Sequence, residues 1–515
     1  MVFAQGGRPR HHVVAYILMG MVALGASGSA FATVYDLQPG TLSQPASLNQ
    51  LLTLQAGDTA ILHATSSTNR VYGRVYTGTA WNGKAGTPSA WITIRGAEGE
   101  PRPLIYYTGG NNTFEMPSVS YMRFQYLEIS GGSEIFRFQG TSHDIVLEDV
   151  YMHNMSDGAV NASGIYELYN LTVRNCEIVG TPGEAFYLGG HEKISQPQVH
   201  DSLIERNFVH DCHEGVEIKA GCTNVTVQDN VISASTGYPS FTIYGTYKTD
   251  NNLRYRIYRN FIYNSSDSGI QCTSDAEIVN NIIVNSQYNG ISIRARNLDG
   301  KMQNITIANN TIYNAANTCL QVSNGDIATN VVIANNAIYQ SSSGATAFNA
   351  AAGIAGVILA NNLYYGTSNA SSPGLVLGPA PAAVFLNAST TLGQMDVYPL
   401  AGGPLIGAAD ATYAPAEDFN YAARPQPQGG AYDIGAYEAT RSVNPGWHLA
   451  AGFRTVGVPG DVNLDTHVDA ADVLILSGSW GKSVGEPGYD PAANINGDGS
   501  VDVSDLLLLA TNYGI

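Results

Sequence analysis

Between roughly residue 60 and residue 365 the chain is built of short apolar–polar alternations broken by Gly, Asn, Asp and Ser. "GVEIKAG" (215–221) is typical: Val216 and Ile218 fall on one side, Glu217 and Lys219 on the other. A period of two marks a strand with one buried face. The phrase that follows such a strand recurs: "VRNCEI", "ERNFVH", "VQDNVI", "YRNFIY", "VNNIIV", "ANNTIY", "ANNAIY", "ANNLYY". Aligned by eye, the matching asparagines are Asn175, Asn207, Asn230, Asn260, Asn281, Asn310, Asn336 and Asn362. "FQYLEI" and "LEDVYM" fit earlier, without the asparagine. A repeat of short β-branched runs with almost no amphipathic helix predicts stacked strands rather than a helical array.

Stacked coils bring equivalent turns about 4.8 Å apart. An amide at a fixed turn can then bond the same amide above and below, and Asn tolerates a left-handed backbone. By these turns and this coil length the chain resembles the right-handed parallel β-helix proteins. That group contains many polysaccharide lyases, some glycosidases and many secreted proteins of other kinds. The resemblance covers about residues 40–390 and implies an all-β, pectate lyase-like solenoid over 33–398. "RPQPQGGAYDIGAYE" resembles a closing segment (399–440), expected to cover the last coil's open edge. Residues 441–459 read as a linker.

The strands after the ladder turns superpose. Phe186, Val216, Phe241, Ile270 and Ile291 are predicted inward, as are Leu188, Ile218, Ile243, Cys272 and Ile293. Outward fall Tyr187 and Gly189, Glu217 and Lys219, Thr242 and Tyr244, Gln271 and Thr273, Ser292 and Arg294. Lys219 and Tyr244 should be neighbours on adjacent coils, with Arg294 about three coils from Lys219. The longest coils carry their extra residues just past this strand, in "HEKISQPQVH", "TYKTDNNLRY" and "RNLDGKMQ", which should wall a groove.

Three chemistries suit such a groove. In β-elimination Lys219 is the candidate base, Tyr244 the acid and Arg294 the clamp on a uronate carboxylate. Glycoside hydrolysis would use paired carboxylates: Asp157, Glu184 and Glu214 precede comparable strands, and Glu217 lies on the stripe. A module without catalysis would hold glycan through Tyr187, Tyr244 and their loops, and the candidate substrate-binding residues are Tyr187, Gln271 and Lys248. "HEGVEIKAG" resembles the lyase family of chondroitinase B and certain alginate lyases. There a metal-binding acid precedes the catalytic Lys by the interval from Glu214 to Lys219. The family's second acidic ligand falls on Cys212 here, and its catalytic arginine falls near Ser240–Tyr244, where there is none. The histidines around "HDCHE" could ligate a metal, but His153 and His210 align in one column and read as turn-stacking residues.

The C-terminus repeats a different motif. "DVNLDTHVDAAD" and "NINGDGSVDVSD" place oxygen side chains at loop positions 1, 3, 5, 9 and 12, the cage calcium prefers. Two such EF-hand-like loops, each with Asp at the last position, resemble a dockerin domain over 460–515. The resemblance implies two Ca2+ ions. The first set of ligands is Asp461, Asn463, Asp465, His467 by its carbonyl, Asp469 and Asp472. The second is Asn494, Asn496, Asp498, Ser500 by its carbonyl, Asp502 and Asp505. Thr466 stands where a turn glycine is usual, and Asn494 where the first aspartate is. The resemblance also implies a cohesin-type scaffold partner, although the usual contact positions hold Ala470, Ala471, Val503 and Ser504.

Composition narrows the partners. A formal charge of −18 lacks the positive footprint nucleic acid requires. Arg8 and Arg10, an apolar run and "AFA" read as a signal peptide over 1–32, cleaved near Ala32 to give a secreted or cell-surface protein with no membrane span. The five cysteines, irregularly spaced, read as small core residues.

Overall fold

The computed structural model describes residues 32–75, 81–164, 166–190, 198–233, 235–245, 253–295, 302–454, 460–462, 468–483, 486–495 and 499–514. Except for Ala32, the expected leader lies outside them, as do Lys248 and most of the three groove-wall insertions. Among the described residues no helix is long and apolar enough to cross a membrane.

Each coil of the central region contributes one strand to an 11-stranded parallel sheet, here called the floor, and further strands to a 24-stranded sheet. One coil runs Glu214–Ile218 in the floor, then Thr223–Gln228 and Val231–Ser233 in the larger sheet. The bend between the last two is the ladder turn. Residues just before the ladder position adopt a left-handed backbone: Asp229, Arg259, Asn280, Asn309, Asn335 and Asn361 have φ between 46° and 58°. The next residue turns inward and makes the ladder. In "ANN", the first asparagine therefore takes the strained backbone and the second makes the amide bonds.

Asn281 shows the pattern. Its N–H and its Nδ2 both donate to Asn310 Oδ1 (2.9 and 3.0 Å), Nδ2 also reaches Ile257 O (2.8 Å), and its own Oδ1 accepts the same pair from Asn260. The chain of amides runs unbroken from Asn207 to Asn362. Its first rung differs from the sequence alignment. Arg174 pairs with Glu205, so Asn175 stands opposite Arg206 and Cys176 opposite Asn207. Cys176 N donates to Asn207 Oδ1 (2.9 Å), and its thiol donates to Leu147 O and Arg174 O, imitating an amide.

The inward files stack as predicted. Phe186, Val216, Phe241, Ile270 and Ile291 pair in one column and are buried. All five cysteines are buried and unpaired. At the N-terminal end a short 3-10 helix, Asn49–Thr53, sets Leu48, Leu51 and Leu54 into the core, and Lys84 Nζ donates to the carbonyls of Leu52 and Leu54.

The segment expected over the last coil instead runs back along the flank as a strap. Asn280, Asn309, Asn335 and Asn361 donate to Glu417 O, Asp433 O, Asp410 O and Ala408 O. Strap residues Phe419, Ile434, Tyr437 and Leu449 pack on Phe261, Tyr313 and Tyr339 of the coils. Residues 441–454, read as linker, belong to this packing: Arg454 is buried, donates to Asp229 Oδ1 (2.7 Å) and lies over the Phe419 ring. Two exposed faces account for the strap. The turn asparagines project unused Nδ2 donors, and the outer aromatic residues need cover.

The last described domain has two helices, α1 (Ala470–Gly478) and α2 (Val503–Thr511), each with an Asp–Asp capping box. They enclose a small core of Val462, Val468, Leu476, Ala493, Val501 and Leu509.

Replacing Asn281 with Ala leaves the buried Asn260 N–H without its acceptor and one of the two Asn260 Nδ2 hydrogens unmatched, Val227 O keeping the other, at about 1–3 kcal/mol for each stranded group. A destabilisation of about 3 kcal/mol or more is expected in urea unfolding. A midpoint unchanged from wild type would deny the ladder its structural role.

Candidate active site and calcium module

The floor strands set their outward residues in files. Arg137, Asn161, Tyr187, Glu217, Thr242, Gln271 and Ser292 are register partners on successive coils. Glu184 pairs with Glu214 in a second file. Lys219, Tyr244, Thr273 and Arg294 follow in a third, each N–H donating to the preceding coil. These files bring Glu184, Glu214 and Glu217 together, with one carboxylate oxygen from each lying within 4.8 Å of the others. Lys219 is ion-paired with Glu217. Its ammonium also lies over Tyr187 (4.7 Å to the ring centroid) and Tyr244 (5.1 Å), the neighbours before and after it.

Outward from the sheet does not mean exposed. Lys219 is 2% exposed, Glu214 3% and Glu217 5%. Burial therefore governs the cluster. Glu214 is pushed up to about 9 by burial first and then by Glu217, with Glu184 adding to it and the nearby Thr242 and Lys219 opposing. Glu184 is raised by burial and by Glu217. Burial, reinforced by Glu217 and Glu184, holds the Tyr187 phenol protonated well above its ordinary range. Glu214 Oε1 and Thr242 Oγ1 are buried without a well-formed hydrogen bond, the Thr242 hydroxyl lying near enough to Glu214 only to oppose its rise. An under-satisfied buried acceptor beside two further carboxylates is the donor set of a hard divalent cation, and Glu184, Glu214 and Glu217 fit one.

Arg294 is exposed and three coils from Lys219, roughly 14 Å at the inter-coil spacing, so the fold does not bring it to the cluster. Gln271 lies two coils beyond Glu217. Lys248 is outside the described residues. Asp157 is exposed. Sequence reading passed over Glu134, buried and pushed up to about 7 chiefly by burial. It accepts from Asn161 Nδ2 and lies 3.7 Å from Arg137 Nε. The overlooked signal was positional: Glu134 precedes Phe136 by the interval that separates Glu184 from Phe186. The histidines do not join this cluster. His153 and His210 both pair with Val179 in one column. His210 stacks on Phe208 and contacts Asp211 and Glu177.

In the C-terminal module, Asn463, Asp465, His467, Asn496 and Asp498 lie outside the described residues. Of the others, Asp472 and Asp505 are wholly buried at the helix starts, where Asp472 accepts from Val462 N and Asp469 N, and Asp505 from Asp502 N. Asp469 and Asp502 cap α1 and α2. Asp461 is buried and Ser500 partly so. Asn494 donates from Nδ2 to Tyr489 Oη (3.0 Å), while its buried Oδ1 has no partner. An orphaned oxygen at the first loop position fits a calcium ligand despite the missing charge.

A family model described as "Right handed beta helix region" matches residues 101–253 and 172–338, and one described as "Dockerin type I domain" matches 459–512. No curated protein matches the chain. Among solved structures it is similar to an alginate lyase from Paenibacillus sp. str. FPU-7, at 15% identity and a TM-score of 0.43, covering 66% of this chain and 99% of that one. It is similar to the Azotobacter vinelandii mannuronan C-5 epimerase AlgE6 A-module, at 13% identity and 0.49, covering 63% and 91%. It is also similar to pectate lyase Pel9A, at 15% identity and 0.42, covering 80% and 97%. Likenesses at these scores decide neither substrate nor reaction.

Two measurements follow. The folded state holds the Glu214 proton up to about 9 while the unfolded chain releases it near 4.5, so folding binds a proton between those values and stability falls as pH rises. In metal-free buffer the loss approaches about 1.4 kcal/mol per pH unit. Glu214→Gln should flatten the dependence of the solenoid's melting temperature on pH across that window. An unchanged slope would remove Glu214 from the account. Chelating calcium should expose residues 460–515 to protease and leave the solenoid's strand signal intact, because metal binding and folding are one event in such loops. Resistance unaltered by chelator would refute the calcium reading.

Proposed function

We propose that this chain, a right-handed parallel β-helix followed by a C-terminal dockerin domain, is a secreted enzyme that cleaves an extracellular, uronate-containing polysaccharide by β-elimination. The observation that carries this reading is the convergence on the groove floor of one buried ammonium, two flanking phenols and three carboxyl groups. A lyase needs a base at the C5 proton, a proton donor at the leaving O4, and positive charge at the uronate carboxylate.

Lys219 is the base in this scheme. Once its proton has left to solvent, the Lys219 amine, oriented by Glu217, removes the C5 proton. The electron pair forms the C4–C5 double bond as the C4–O4 bond breaks. A phenol, Tyr244 or Tyr187, protonates O4, and Tyr187 has its proton held in place by burial. A divalent cation between Glu184, Glu214 and Glu217 would supply charge for the substrate carboxylate in place of an arginine. Arg294 is too distant to act there.

A second reading rests on a specific observation. Glu214, protonated at neutral pH, beside Glu184 and Glu217 is an acid next to two potential nucleophiles. One oxygen of each lies within 4.8 Å of the others, well short of the ~6.5–9.5 Å of inverting glycosidases and on the retaining side of that division. The dockerin implies attachment to a cohesin-type scaffold. Its two helices offer matching exposed apolar residues, Leu474 on α1 and Leu507 on α2, with Val503 also exposed.

Incubation with uronate-containing and neutral glycans separates these readings. Elimination gives an unsaturated sugar end with new ultraviolet absorbance; hydrolysis gives reducing ends without it. Lys219→Ala should lower elimination by about a hundredfold to ten-thousandfold, the range general-base assistance contributes. An undiminished rate would exclude Lys219 as base. Retained glycan binding with neither product would make the groove a binding site only.

A further inference from the structure

Charge along the groove floor changes at the coil of Lys219. In the file of Glu217, the preceding coils carry Tyr187, Asn161, Arg137 and Glu115. The following coils carry Thr242, Gln271, Ser292, Gln321 and Asn349. The file of Glu214 divides at the same place. Glu184 precedes it, whereas farther along the sheet that register holds Asn289, Thr318 and Thr346. Glu134 adds a carboxyl two coils before Glu184. Carboxyl groups thus lie up to and including the Lys219 coil. Beyond it the two files hold amides and hydroxyls, joined in part by Asn317 to Asn289 and Asn349 to Gln321 bonds (2.9 Å each).

The cation on the acidic side is already engaged. Arg137 donates to Asn161 Oδ1, to Ser163 Oγ and to Ser163 O, and lies 3.7 Å from Glu134. A sugar carboxylate or sulfate there would meet Glu115, Glu134 and Glu184. Each such contact that is ionised weakens binding by roughly tenfold or more. A cation held by Glu184, Glu214 and Glu217 would leave Glu115 uncompensated and Glu134 matched only by Arg137. On the other side the exposed Arg294 is the charge in the Lys219 file.

We propose that the groove accepts acidic sugars on one side of Lys219 only: residues lying over the coils from Thr242 to Arg294 carry carboxylate or sulfate groups, and those over the coils from Glu115 to Glu184 carry none. The substrate class is a glycan in which acidic sugars border sugars without acid groups, rather than an uninterrupted polyuronate. This rests on the groove being the glycan site proposed above, but not on which bond is broken.

Binding tests it without turnover. The full-length Lys219→Met protein, with Tyr244→Phe as a second inactive background, is titrated calorimetrically in calcium-containing buffer. The ligands are a homopolymeric uronate oligosaccharide, an alternating uronate–neutral oligosaccharide and a neutral one of equal length. The alternating chain should bind at least tenfold more tightly than the homopolymer. Glu115→Gln with Glu134→Gln should narrow that gap by strengthening the homopolymer. Arg294→Ala should weaken the alternating chain several-fold and leave the neutral chain unchanged. Homopolymer binding equal to or tighter than the alternating chain, or a gap indifferent to the double substitution, overturns this inference alone. Failure of all three glycans to bind removes the groove as a glycan site, and this inference with it.

Discussion

The constraint on which everything else depends is the amide ladder. Each ladder asparagine offers one oxygen to two donors of its neighbour, and that arrangement recurs only if successive coils are related by the same short translation. A slip of one residue would leave those donors unpaired in the core and turn each strand's apolar file outward. The turns therefore fix the register of the floor strands on the other side of the coil. Tyr187, Lys219 and Tyr244 meet because Val173, Ile204, Val227 and Ile257 carry the carbonyls that successive amides grip. A site made from residues far apart in sequence acquires the precision of a single sheet.

That precision carries an energetic cost. Three carboxyl groups around one ammonium are more negative charge than a buried site can neutralise, and the fold resolves the excess by keeping Glu214 protonated. Stability at neutral pH would improve if Glu214 were Gln. Perturbed acids of this kind concentrate where a protein gives up stability for reactivity. The strap strengthens the same coil from outside. Asp229 is held by Arg259, Arg454 and Tyr421, ten positions along the chain from Lys219. Anchoring the far side of that turn restrains the strand that presents the lysine.

Much of this was legible in the sequence, for identifiable reasons. Strand alternation and the recurrent asparagine are local and periodic, so the inward files and the Lys219–Tyr244 adjacency follow from counting. The first rung misled because it holds a cysteine. Cys176 makes thiol bonds in place of amide bonds, and the adjacent Asn175 drew the alignment one residue off. Alternation also reports direction relative to the sheet and not what lies over it, which is why Lys219, outward as expected, is nevertheless buried. The strap escaped because its contacts join Asp229 to Arg454, a pairing with no period. Glu134 was missed for want of a motif, although its offset from the inward phenylalanine was available.

The two carboxylate-rich regions of the chain differ in what backbone donors they have to spare, and this separates their roles. At the start of α1 and α2 the N–H groups of Ala471 and Ser504 bind the side chains of Asp469 and Asp502, while Asp472 and Asp505 accept from the cap N–H groups of Asp469 and Asp502, so each acid is fixed in place. Those acids are pre-oriented by the fold itself. On the groove floor, strand N–H groups are taken by neighbouring coils, as Val216 is by Ser240 O and Lys219 by Leu188 O. Glu214 Oε1 accordingly finds no strand donor, only the poorly placed Thr242 hydroxyl. Its deficit can be met by a proton, a cation or a substrate hydroxyl, all of them exchangeable. A structural acid is one whose partners belong to the fold; Glu214 has an oxygen whose well-formed partner must come from outside, which is the condition for taking part in chemistry.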